Sequence, residues 1–366
     1  MALYEQNLVI MTLHAELTQL CLDAESAYTD FVTFDVVGAI TPLMKTIKGS
    51  NYWYVQYTDF SGKQRQNYIG PDTPDTRNTL DRLADEMGKE ALRRRRDLVK
   101  ALQHSGYYRV SQLADDALLV LKRSGALQSG TVLIGTPAYH AILNSLGFTE
   151  NPGIMTNDMD VVVDNLQLVL PDNIDLYAEL RQWNDKVFPV PPLNLKDEST
   201  SFKIRGKDFH IDFLIHGSYV QMGQTASIPK LGIHAQKVPF MDYLTSNPVT
   251  TLILTKHGSV VTLPSAARFA LHKAAIAASR PPTFTSKQIK DRHQAKTILD
   301  VLLIRDPETV REAYDAISIM QEPDRFSTLL NRTLALPEMQ DIRTRLDATL
   351  KTPLPIYVHG RNSPGF

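Results

Sequence analysis

Three acidic residues carry the clearest chemical potential in this chain. Two of them lie in Thr156-Asn157-Asp158-Met159-Asp160-Val161-Val162-Val163, which has the composition of a β-strand. Strand side chains alternate, so Asp158, Asp160 and Val162 share one face while Met159, Val161 and Val163 take the other. At roughly 3.3 Å per residue the two Asp Cα atoms stand about 6 to 7 Å apart, and their oxygens can converge on one divalent cation or bridge a pair. Oxygen donors of this kind suit Mg²⁺ or Mn²⁺. A lone Asp-x-Asp is equally compatible with a solvated strand end, so the third acid decides. Phe209-His210-Ile211-Asp212-Phe213-Leu214-Ile215 is an apolar strand interrupted by Asp212, with His210 and Leu214 on its face. An ionised Asp in such a run is costly to bury unless it is paired or holds a metal. Without a metal its surroundings predict a raised pKa, which would let Asp212 accept a proton from an attacking hydroxyl.

A fourth feature is a strand-to-helix turn, Leu133-Ile134-Gly135-Thr136-Pro137-Ala138. Gly135 ends the strand, Thr136 is placed to cap the helix and Pro137 to occupy its first position, where a missing N–H costs nothing. Such a turn presents backbone N–H groups and the positive end of a helix dipole to an anion such as a triphosphate. Turns of this type also occur in many α/β proteins without a ligand.

The order Gly135-Thr136, Asp158-x-Asp160, Asp212 resembles the nucleotidyltransferase superfamily that includes DNA polymerase β and the small bacterial minimal nucleotidyltransferases. The resemblance covers about residues 130 to 215. One departure is the longer gap from Thr136 to Asp158, which requires an extended helix and loop. The resemblance implies an α+β fold with a small mixed sheet flanked by helices, and a nucleoside triphosphate as substrate. It implies Asp158, Asp160 and Asp212 as the catalytic residues and as ligands of a two-metal Mg²⁺ or Mn²⁺ site, with Gly135 and Thr136 on the nucleotide. A second likeness lies downstream: Leu271-His272-Lys273, Arg280 and Lys290-Asp291 are similar to a Lys…Arg…Lys-Asp pattern in a bacterial subgroup that includes toxins of type IV abortive-infection systems. It implies Lys273 and Arg280 as further nucleotide ligands and an antitoxin protein as partner. The two cations are two helical turns apart on one face, about 10 Å along the axis; a pair of solvated basic residues is the competing reading. RNA, a protein hydroxyl or a small molecule could be the acceptor, and the toxin-like pattern with the aromatic, basic N-terminal region favours RNA. A catalytically silent nucleotide-binding or regulatory module of the same fold is the alternative, and its expected mark, loss of one acid, is missing.

The elements that must position these residues follow from the remaining sequence. The 366 residues are 43% hydrophobic and 22% charged, enough for two or three domains with buried cores and unlike a disordered chain. Lys plus Arg number 39 against 40 Asp plus Glu, so no net positive field marks a general nucleic-acid binder, and any such contact is local. A single cysteine, Cys21, excludes an internal disulfide framework or a thiolate zinc cage, and its helix is expected to lie away from the core. No secretory signal and no run of about 20 apolar residues is present, which points to the cytoplasm and away from a membrane.

Residues 8 to 29 have the spacing of an amphipathic helix, Ile47 to Tyr68 read as two strands joined at Asp59-Phe60-Ser61-Gly62, and Thr76 to Gln103 as helix. Tyr52, Trp53, Tyr54 and Tyr57 could stack on bases, but they also suit the cross-strand pairs of an ordinary hairpin, the reading preferred here. A nucleic-acid-binding protein working through this hairpin is a third reading of the whole chain. Arg93 to Arg96 point around a helix and cannot all line one groove. Strands are predicted at Thr131–Ile134, Met159–Val163 and twice within Phe202–Ile215 around Gly206, with a helix from Ala138 to Leu146. Five helices are predicted near 265 to 279, 286 to 304, 307 to 320, 324 to 334 and 338 to 350. The expected domains are 1–128 (helix, hairpin and helical region), 129–263 (catalytic), 264–351 (helical) and a loose tail over 352–366. Lys287, Lys290, Asp291 and Gln294 share a helical face that reads as a polar seam. Among the histidines, His140, His257, His272 and His293 show no metal-ligand spacing and read as structural or surface residues.

Overall fold

The computed structural model describes residues 2–31, 37–59, 62–150, 158–163, 174–192 and 197–351. The expected tail over 352–366, the tip of the hairpin at Phe60-Ser61 and the start of the acidic strand at Thr156-Asn157 lie outside them. The chain is α+β and divides into two compact units, Met1–Ser265 and Ala266–Phe366.

The first unit opens with helix α1 (Ala2–Phe31), followed by strands β1 (Val37–Ile47), β2 (Ser50–Thr58) and β3 (Gln64–Pro71), which form an antiparallel sheet in that order. One sheet face is sealed by a cluster of Ala27, Ile40, Val55, Tyr57, Leu80, Leu83 and Met87, with Trp53 and Ile69 packed against it. The region expected to be helical from Thr76 to Gln103 is two helices, α2 (Pro74–Met87) and α3 (Lys89–His104). The break is Gly88, whose extended backbone donates its N–H to the Ala84 carbonyl at 2.9 Å; a Cβ there would lie 2.3 Å from that oxygen. The arginines of α3 do point around it: Arg94 pairs with Glu16 at 2.7 Å, Arg93 lies 3.8 Å from Glu90, and Arg95 is half-buried. Cys21 is not remote from the core. It is 3% exposed in a cluster with Leu17, Val99, Leu102, Tyr107, Leu252 and Leu254, because α1 lays that face on α3, and burial pushes its thiol pKa up.

After α4 (Gln112–Arg123) comes the sheet that matters most. Its strands are β4 (Thr131–Ile134), β5 (Asp158–Val163), β6 (Val187–Pro189), β7 (Ser201–Ile204), β8 (His210–His216), β9 (Thr225–Ile228) and β10 (Ile233–Val238). The main order is β4-β5-β8-β10-β9, with β7 paired to β8 and β6 to β7. β5 runs parallel to β8 and antiparallel to β4. Helix α5 (Gly135–Ser145) follows β4, α6 (Leu176–Trp183) precedes β6, and α7 (Met241–Thr245) leads to the two-stranded ribbon β11 (Pro248–Ile253) and β12 (Ser259–Pro264). The apolar alternation of β5 and β8 buries Met159, Val161, Ile211 and Phe213 on one side of the sheet. There Phe213 meets Phe202 edge-on at 5.9 Å, and Phe202 stacks on Tyr177.

The second unit is all helix: α8 (Ala266–Ser279), α9 (Thr285–Arg305), α10 (Pro307–Asp315), α11 (Pro323–Leu334) and α12 (Gln340–Lys351). Pro307 and Pro323 open α10 and α11 where proline is tolerated. The alanines of α8 let its neighbours approach closely, and Thr333 donates its hydroxyl to the Ala274 carbonyl at 2.7 Å. Among the described residues no helix is long and apolar enough to cross a membrane.

Candidate active site

Register brings the predicted acids together. On the parallel pair β5/β8, Asp160 stands opposite Asp212 and Asp158 opposite His210. Neighbouring strands are about 4.8 Å apart and paired residues share a face, so these four side chains form one polar cluster. The opposite face of the same strands is the buried apolar layer. The cluster face is open: the side chains of Asp158, Asp212 and His210 are 43%, 31% and 21% exposed. This corrects the expectation that Asp212 is buried in apolar surroundings. Ile211, Phe213 and the aromatic residues near it all belong to the other face.

His210 lies between two of the acids, with Nδ1 3.1 Å from Asp158 Oδ1 and Nε2 3.5 Å from Asp212 Oδ2. Asp212 Oδ1 accepts a hydrogen bond from the Ser201 hydroxyl, which β7 delivers because Ser201 pairs with Asp212 in register. Asp212 thus has Asp160 on one flank and Ser201 on the other. Neither His210 nor Ser201 was selected from sequence as a functional residue. The signal for His210 was its parity with Asp212; Ser201 required the unforeseen antiparallel pairing of β7.

The turn at Gly135 meets the same cluster. Ile134 pairs with Asp160 across β4/β5, so the chain turns into α5 directly over that carboxylate. Gly135 has φ +74°, and a Cβ there would lie 2.0 Å from Asp160 Oδ2. A helix start beside a carboxylate is electrostatically favourable. The expected cap is corrected: α5 begins at Gly135, Ile134 holds the cap position without a side-chain bond, and Thr136 is buried within the first turn. Gly135→Ala is expected to cost about 1–3 kcal/mol through its left-handed backbone, beyond the displacement of Asp160. Denaturant unfolding would measure it, and an unchanged midpoint would mean that the turn is not held as described.

Lys273 lies on α8 and Arg280 just past its end, and both reach Asp291 on α9: Lys273 Nζ is 3.1 Å from Oδ1 and Arg280 Nε 2.5 Å from Oδ2. Asp291 is 2% exposed and Gln294 beside it is equally buried. Burial raises the Asp291 pKa, but the charges and hydrogen bonds of Lys273 and Arg280 outweigh this and hold the carboxyl below its ordinary value. His272 on the same helix is buried, and desolvation, helped by the Lys273 charge, lowers its pKa to about 3. From pH 6.5 down to about 3 the unfolded chain therefore binds a proton that the folded chain refuses, so stability falls as pH falls through this window. His272→Phe is expected to flatten that slope in urea unfolding at pH 5 and 7.5; an identical slope would place the acid sensitivity elsewhere. His140 is also buried and stacks on Tyr108 with ring centroids 4.0 Å apart, a packing role.

A hard cation is chemically matched to the Asp158, Asp160 and Asp212 oxygens, which register places on one accessible face. As the side chains stand, no group of three or more His, Cys, Asp or Glu among the described residues forms a metal cage. Asp158 and Asp212 turn toward His210, and Asp160 toward the start of α5. The donor set is of the oxygen type that a hard divalent ion takes.

Comparison with known proteins gives one match. Residues 112–318, more than half of the chain, match a family model described as nucleotidyltransferase. No curated protein and no solved structure matches the chain.

Proposed function

Because the chain belongs to the nucleotidyltransferase family, and is thereby a transferase with a nucleoside triphosphate as substrate, we propose that it transfers a nucleoside monophosphate to a hydroxyl of RNA. The observation that carries this reading is the register pair Asp160–Asp212 on an open sheet face, with the start of α5 against Asp160. Asp158, Asp160 and Asp212 would hold divalent metal, Mg²⁺ or Mn²⁺. When bound, such ions neutralise phosphate charge and lower the pKa of an attacking hydroxyl.

The chain's own residues supply the rest. Gly135 and Thr136 would offer backbone N–H groups at a helix start to the triphosphate, with the missing side chain at Gly135 making room for Asp160. Ser201 and His210 fix the orientation of the Asp212 carboxylate, whose oxygen takes the proton of the acceptor hydroxyl. The acceptor oxygen forms a bond to the α-phosphorus, the bond from that phosphorus to the bridging oxygen breaks, and pyrophosphate leaves. Lys273 and Arg280, expected as further nucleotide ligands, are both paired with Asp291 in the second unit. The toxin-type subgroup and an antitoxin partner rest on those residues alone, and the proposed reaction does not depend on them.

The test is to incubate purified protein with each α-labelled nucleoside triphosphate, Mg²⁺, total RNA and total protein. Label is expected in RNA and is expected to vanish with a chelator. Label in protein alone would overturn the acceptor, and no label in any fraction would overturn the reaction.

A further inference from the structure

We propose that the outer face of the β1–β2–β3 sheet is a stacking platform for single-stranded RNA. The proposal deepens the reading of RNA as acceptor and rests on it for the identity of the ligand. The inner face of this sheet buries Val55 and Tyr57, which satisfies the need of a hairpin for an apolar side. The outer face nevertheless carries three tyrosines. Tyr54 and Tyr68 are directly paired across β2/β3, and the Tyr68 ring lies 5.5 Å from that of Tyr54 and 6.2 Å from that of Tyr52. Tyr68 is 54% exposed and the other two are half-buried, opposite the face that the cluster with Leu80, Leu83 and Met87 covers.

Lys45 of β1 pairs with Tyr52 and holds its ammonium 4.4 Å from the Tyr54 ring centroid, so the platform has a cation on its aromatic surface. The three strands contain no Asp or Glu, although the chain as a whole is nearly neutral. The carboxylates at the strand ends, Asp59 and Asp72, are tied to Arg65 and Arg77. Next to the tyrosines on the same face, Gln56 and Gln66 bond to each other at 3.0 Å, amides that can both donate and accept.

This set matches the parts of a single strand. Aromatic rings accept any base face, and stacking is tolerant of sequence. A cation on strands that carry no carboxylate of their own serves the phosphates. Side-chain amides can exchange hydrogen bonds with 2′-hydroxyls and base edges, which duplex RNA presents differently. A protein partner would more naturally meet a rim of both charge signs.

The experiment measures anisotropy of a labelled single-stranded oligoribonucleotide with full-length protein, in wild type and in Asp212→Asn, so that binding is read apart from transfer. Tyr54→Ala with Tyr68→Ala is expected to weaken binding about tenfold or more, and Tyr54→Phe with Tyr68→Phe to retain it, with circular dichroism confirming an intact sheet. Lys45→Gln is expected to reduce the salt dependence by about one phosphate contact. Binding unchanged in the alanine variant, equal binding of duplex RNA, or equal binding of the matching oligodeoxyribonucleotide would overturn the proposal. Transfer lost while tyrosine-dependent binding persists would refute the reaction and not the platform; transfer to RNA with binding indifferent to the tyrosines would refute the platform alone.

Discussion

Asp212→Asn is expected to lower nucleotidyl transfer by about 1,000-fold or more while leaving the fold in place. The substitution keeps the shape of the side chain and removes its charge and its ability to accept a proton. Electrostatic stabilisation by a bound divalent ion amounts to several kcal/mol, and each 1.36 kcal/mol is about tenfold in rate, which sets the expected size. Stability should hardly change. Asp212 is half-buried on the open sheet face, and an amide oxygen can still accept the Ser201 hydroxyl. Asp160→Asn should lose activity to a similar degree, since Asp160 stands beside Asp212 and against the start of α5. The measurement is the initial rate of label transfer beside a thermal melt of each variant. A variant keeping more than about a tenth of the rate would remove that residue from the chemistry.

Asp291→Ala is expected to destabilise the second unit by about 3–5 kcal/mol, the usual cost of breaking a buried ion cluster by removing one partner. Asp291 is nearly inaccessible and balances both Lys273 and Arg280, so its loss leaves two cations facing each other without a counter-charge. Its carboxyl is held below its ordinary value by these neighbours, against the effect of burial. The sign of the pH effect follows: the unfolded carboxylate binds a proton more readily than the folded one. The cluster's contribution is therefore full above the unfolded carboxyl pKa and is lost as pH falls through the lower folded value. Chemical unfolding of wild type and variant at neutral and acidic pH would test this. A loss below about 1 kcal/mol at neutral pH would mean that Lys273 and Arg280 do not depend on Asp291, and would favour a free phosphate-gripping pair.

Much of the fold follows from local rules that act on short segments. Alternation alone places Asp158 and Asp160 together, and the two strands around Gly206 and the five C-terminal helices lie within a few residues of their expected bounds. β1 was not foreseen because Gly38, Pro42 and Lys45 interrupt its apolar alternation, yet it pairs along most of β2. The site was only partly legible for a related reason. Sequence identifies which face a carboxylate takes, but not which strands flank it. Asp212 looked buried because apolar residues surround it in sequence, whereas pairing with β5 and β7 puts those residues on the far side of the sheet. Parity puts His210 on the Asp212 face but not between Asp158 and Asp212, Ser201 enters only through register, and the helix begins at Gly135 before the expected cap at Thr136.

The most direct measurement compares α-labelled with γ-labelled nucleoside triphosphate in one reaction, for wild type, Asp160→Asn and Asp212→Asn. Nucleotidyl transfer at the Asp160–Asp212 pair predicts that only α-label reaches the acceptor, with one pyrophosphate released per transfer, and that both variants are inactive. Transfer of γ-label, or α-label transfer that persists in both variants, would contradict it.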